Sequence, residues 1–159
     1  MVVSDVLDKI IDTFKSDTRL SEVCNYRKIN GILPDIGTNI SVGCQKVKYE
    51  VYDNKTDEAE AFIVIYVYTQ EADPEEGEKK IRELSDLMRN ILNKDVTLSG
   101  AISSGEIKEV EFIYADSSDT LIWHAAMIEY RVTFYSEREE NADDINFNCD
   151  EIEIDLEGM

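Results

Sequence analysis

Apolar and polar residues alternate with a period of two through residues 106–137, EIKEVEFIYADSSDTLIWHAAMIEYRVTFYSE. From Ala126 onward, Ala126, Ile128, Tyr130, Val132 and Phe134 fall on one side, and Glu129, Arg131, Thr133 and Tyr135 on the other. A strand with one buried and one wet face gives this pattern. The polar run at 115–119 supplies a chain reversal. The spacing therefore predicts a long antiparallel hairpin. Residues 46–52 alternate as well, with Val47, Tyr49 and Val51 against Lys46, Lys48 and Glu50. After a turn at 53–57, residues 61–68 (AFIVIYVY) are continuously apolar. That run predicts a strand covered on both faces and, with 46–52, a second hairpin.

Two segments change to a helical period. Val6, Leu7, Ile10, Ile11 and Phe14 predict a helix over 4–16, with Ser4 or Asp5 able to cap its start. Ile81, Leu84, Leu87, Met88, Ile91 and Leu92 form the stripe of a second helix. Asp73 precedes it as N-cap, Pro74 takes the first helical position and Glu76 the third, and the stripe ends near Asn93. Glu75, Glu76 and Glu78 suit the positive end of the helix dipole. Between the first helix and about residue 42, Gly31, Pro34, Gly37 and Asn39 interrupt the apolar residues, so this part reads as a long irregular connection with room for one short strand. Residues 96–102 read as a short strand or loop.

The expected fold is α+β: a mainly antiparallel sheet of about four strands with two helices packed on one face, plus a C-terminal acidic strand or arm. One domain covers 1–136, and an acidic extension covers 137–159. In that extension a polar linker, REENADD, precedes Ile152, Ile154 and Leu156, which alternate with Glu151, Glu153 and Asp155. A lone strand does not hold itself in water and needs a sheet edge. Ile152, Ile154 and Leu156 are therefore candidate interface residues, along with Trp123 and His124 on the long hairpin.

Composition removes several classes. The chain has 159 residues and is 43% hydrophobic, enough for one folded core. No apolar run reaches the roughly 18 residues that span a bilayer, so no membrane partner is expected. The start, MVVSDVLDKII, lacks the basic region of a signal peptide. Cys24, Cys44 and Cys149 are odd in number with no CxxC, and His124 is the sole histidine. These support neither a disulfide framework nor a zinc site and fit a reducing cytoplasm. Thirty-five acids against 16 bases leave −19, which opposes binding to nucleic acid through phosphates. Ten of those acids, with one base, lie in 137–159.

Nothing converges on chemistry. His124 has no GxSxG nucleophile in the sequence to serve. The run 100–105 lacks the GK[ST] ending of a phosphate loop. The acids at 150–157 lack EF-hand spacing. No catalytic residue, cofactor or metal is predicted, and an enzyme is not expected.

The element order, together with KKIRELSDLMRNIL and WHAAMIEYRVTFYS, resembles the tail terminator and tail-completion proteins of tailed bacteriophages and phage-like contractile particles. The resemblance covers about residues 4–136; the acidic extension has no counterpart in it. It implies a homo-oligomer, a hexameric ring that caps the tail tube at its head-proximal end. Its partners would be the tail tube, the sheath protein where the tail has one, and the head-tail connector protein. Its place would be the virion tail or neck, assembled in the host cytoplasm. DNA would pass through the lumen without specific binding, and a negative wall would suit that passage. The family supplies no catalytic residues to carry over. A reading from another class is an acidic protein that mimics DNA and occupies a nucleic-acid-binding partner. That role calls for charge on one folded face, whereas nearly half of the excess here sits in the extension. A third reading is another small neck or baseplate subunit.

Overall fold

Both alternating hairpins form, and they share one sheet. The computed structural model describes residues 1–116 and 122–139. Its elements are α1 (Val3–Lys15), a 3-10 turn (Thr18–Leu20), β1 (Val23–Arg27), β2 (Thr38–Val51), β3 (Thr56–Glu71), α2 (Pro74–Lys94), β4 (Ser104–Asp116) and β5 (Ile122–Glu137). The strand order is β1-β2-β3-β5-β4. β1 runs parallel to β2, and every other pair is antiparallel. The architecture is the expected α+β with five strands rather than about four. The extra strand lies inside the stretch expected to be irregular.

Register builds the core in rows. Ile40 pairs with Val67 and Val67 with Ala126; Val42 pairs with Ile65 and Ile65 with Ile128; Cys44 pairs with Ile63 and Ile63 with Tyr130. Each row presents apolar side chains to the same face, because the strand period is two. α1 covers that face with Val6, Ile10 and Phe14, and α2 with Ile81, Met88 and Leu92, all at most 1% exposed. The five residues expected on the buried side of β5, Ala126 to Phe134, are all inside. Within the stripe of α2, Leu87 is only half-buried and packs at the margin of the core.

The helix starts follow from their first turns. Asp73 accepts the N–H groups of Glu75 and Glu76 at 3.0 and 3.4 Å, satisfying donors that an uncapped helix leaves free. Pro74 needs no donor there. At α1 the Asp5 carboxylate reaches back to the Val2 N–H at 3.0 Å. α2 ends at Lys94, and residues 96–102 form a turn rather than a strand. Leu98 and Ser99 take positive φ there, held by Asp95, whose carboxylate accepts both the N–H and the hydroxyl of Ser99.

β2 begins eight residues before the expected 46. Asn39 and Gly43 are poor strand formers, and they are buried along with Thr38 and Ser41. Their polar groups find partners. Asn39 accepts from the Asn25 amide of β1 at 2.9 Å and donates to the carbonyls of Asp35 and Gly37, and the Ser41 hydroxyl donates to the Gly31 carbonyl. The segment 28–37 thus crosses the second face of the sheet. A side chain at Gly43 would overlap the Asn30 backbone, so the bare position admits that crossing. Val64 and Tyr68 lie beneath it, and the Leu33 N–H donates to the Tyr68 hydroxyl at 3.3 Å. That cover explains why 61–68 is apolar on both sides.

At the far end the β2–β3 hairpin outruns the helices. Tyr49, Val51 and Tyr52 are 55%, 72% and 61% exposed, although alternation placed Tyr49 and Val51 with Val47, which packs against the core. The pattern was strand-like, but no helix reaches far enough to cover them.

Candidate assembly surfaces

The sheet ends on β4, and the outer side of β4 pairs with no described strand. This edge is 13 residues long. Its register breaks between Ile107 and Glu109, where Lys108 makes a bulge against β5. Bulges and charges are devices that blunt an open edge. Here Glu106, Lys108, Glu109 and Glu111 occupy the half that contains the bulge, whereas the half toward the hairpin tip carries Phe112, Ile113 and Tyr114. These three are 50%, 39% and 78% exposed. Phe112 and Tyr114 share the helix side of the sheet, where Pro74, Ile81, Ile122 and His124 complete a cleft of about 540 Å³. Contiguous exposed apolar groups beside an open edge mark an interaction surface.

Trp123 and His124, named together in the sequence, separate here because neighbours on a strand point to opposite faces. Trp123 turns to the second face and meets the Tyr68 ring at 5.9 Å. With Ile32, Pro34 and Ile113 it lines a smaller depression of about 240 Å³. His124 turns under the first turn of α2 against Gly77 and is 5% exposed. It packs under α2 and, from there, forms part of the inner wall of the cleft beside Phe112 and Tyr114. Its Nε2 has no partner among the described groups. The other three candidate contacts, Ile152, Ile154 and Leu156, lie outside the described residues.

The second face also holds an arrangement that the sequence reading missed. Lys46 and Arg131 flank Phe62 across the β2–β3–β5 ladder. The Lys46 and Lys48 ammonium groups lie 4.6 and 5.3 Å from the ring centroid, and the Arg131 guanidinium 4.7 Å. The signal was legible as two lysines and an arginine on outward positions. Only the register shows that they converge on one ring.

The titratable groups that depart from ordinary values are scattered over the fold. Arg19 hydrogen-bonds Asp17 and holds its carboxyl down at about 2. Arg27 does the same to Asp35 in direction, through a two-point contact at 2.7 and 3.0 Å. Burial drives the Tyr130 phenol well up. These groups lie on different elements and face no common cleft. Cys24 is exposed and Cys44 half-buried, both free. Among the described residues no group of three metal-ligating side chains forms, and no helix is long and apolar enough to cross a membrane.

No protein-family model and no curated protein matches the chain. Among solved structures, it is similar to a chain described as the virion of a native gene transfer agent (GTA) particle. The identity is 14% and the TM-score 0.36, over 84% of this chain and 99% of the other.

Proposed function

We propose that this chain is a structural subunit of a phage-like particle, a tail terminator that acts by assembly rather than by catalysis. Copies join head to tail into a ring, the ring caps the tube at its head-proximal end, and its other surface meets the head connector. The observation that carries the reading is the open β4 edge with Phe112 and Tyr114 exposed beside it. The opposite sheet edge is unlike it: β1 has five residues and is parallel to its neighbour. A contact between unlike surfaces is heterologous, and repeated copies of such a contact close into a ring or run on as a fibre. The rotation between neighbouring copies decides which. The resemblance of the sequence supplies the hexameric count and the place in the particle.

The test is an assembly reaction with and without this subunit. Tubes made without it should elongate without a defined end, and adding it should stop growth and allow heads to attach. The double variant Phe112→Glu, Tyr114→Lys should fold and fail to cap. Normal capping by that variant, or tubes of normal length in the absence of the subunit, would refute the role. So would a purified protein that turns over a substrate and loses turnover, but not its melting temperature, on His124→Ala.

A further inference from the structure

Three cations crowd one ring in a chain of net charge −19. Lys46, Lys48 and Arg131 all lie within 5.3 Å of the Phe62 ring centroid. Attraction to a ring face is weak at an exposed site. Like charges this close repel one another. None of the three makes an ion pair with a described carboxylate, whereas Arg19, Arg27, Lys28, Lys80, Lys108 and Arg138 each do. Glu60 and Glu129 are their neighbours on this face, half-buried and outside ion-pair distance. Glu106 is held low first by its hydrogen bond from Lys108 and only in smaller part by the charge of Arg131. The trio thus makes no ion pair among the described residues, although Glu60, Glu106 and Glu129 lie near it.

We propose that the acidic C-terminal segment, residues 140–159, docks on this face of its own chain. The segment carries eight carboxylates and no base, with Ile152, Ile154 and Leu156 among them. Its acids match the trio, and its apolar residues match the exposed part of Phe62. The tether favours this site. The Arg138 N–H donates to the Lys55 carbonyl at 2.8 Å, and its guanidinium pairs with Asp57 at 2.6 Å. Asp57 is on β3, five residues from Phe62, which is about 17 Å along a strand. Twenty residues span roughly 66 Å when extended, so reach does not limit docking. A short tether also holds the segment at an effective concentration of order mM. The sheet edges are poorer choices. Glu106, Glu109 and Glu111 on β4 repel the segment, and Arg27 on β1 already pairs with Asp35.

Carbodiimide coupling of the full-length protein, which joins lysine amines to carboxylates in contact, tests this. The reaction is run on an equal mixture of light and heavy-isotope protein, so that coupling within and between chains differs in mass. The expected result is coupling within one chain from Lys46 and Lys48 to residues 143–157, about tenfold above that at Lys9 and Lys79. It should fall away at about 1 M salt, where the screening length is near 3 Å. In the exposed pair Lys46→Gln, Arg131→Gln, coupling at Lys48 should drop several-fold while the melting temperature holds. Mixed-mass products at Lys46 and Lys48 would make a second copy the occupant and overturn the proposal. Coupling spread evenly over the lysines, or unchanged in the variant, would overturn it too.

Discussion

Gly77 lies flat against the imidazole of His124, so that a methyl group at Gly77 would overlap the ring. This contact fixes the first turn of α2 on β5 beside the apolar cleft. Alanine is the better helix former by roughly 0.8–1 kcal/mol, yet overpacking here costs about 1–3 kcal/mol. Gly77→Ala is therefore expected to destabilise. With His124→Ala the obstruction goes, and the same change should become neutral or stabilising. Urea melts of the four proteins measure the coupling; strictly additive effects would mean that the two residues do not touch.

The two adjacent stripe residues of α2 should differ in cost. Met88 is fully buried and Leu87 only half-buried. Met88→Ala is expected to lose about 2–5 kcal/mol. Leu87→Ala should lose clearly less, since less apolar surface leaves water there. Equal losses in denaturant melts would place Leu87 in the core.

Much of this was readable in the chain, for identifiable reasons. Val132 and Phe134 against Arg131 and Thr133 gave β5 away, because one face packs on helices and the other meets water. Asp73-Pro74 gave the start of α2 through backbone donors that need a partner. The first half of β2 was hidden because Asn39, Ser41 and Gly43 look like loop. They are tolerated in a strand because β1 and segment 28–37 satisfy their polar groups. The site was less legible. Tyr49 and Val51 alternate like core residues yet stand beyond the helices. Nothing around His124 in the sequence signals the Gly77 contact, because only the fold brings α2 over its ring. Lys46, Phe62 and Arg131 lie far apart in sequence and meet only through strand register.

Tyr130 buries a hydroxyl that has no partner among the described groups, and a side chain at Gly105 would overlap it. Such a group costs about 1–3 kcal/mol. Tyr130→Phe keeps the ring and should leave stability unchanged or raise it by about 1 kcal/mol. Burial raises the phenol in the folded state, so its contribution is complete below the ordinary value near 10 and is lost as pH rises above it. The variant should therefore resist alkali better than the parent. A loss of stability at neutral pH would show that the hydroxyl has a partner.

Acid should act at Asp17 late. Its folded carboxyl lies at about 2, below the ordinary 3.8, owing first to the Arg19 side chain and then to the Arg19 N–H. A depressed carboxyl stabilises above its unfolded value, and that contribution fades as pH falls from about 4 toward 2. The carboxyl carbon of Asp17, followed by NMR, should titrate near 2 and move up in Arg19→Ala. A midpoint at the ordinary value in the parent would mean that the pair does not persist in solution.

Self-association through β4 is tested most directly by electron microscopy of the purified full-length protein beside the double variant Phe112→Glu, Tyr114→Lys. The parent should give closed rings of one diameter, and the variant, with an unchanged melting temperature, should give single subunits. Single subunits from the parent at every concentration, or identical rings from both proteins, would contradict assembly through this edge.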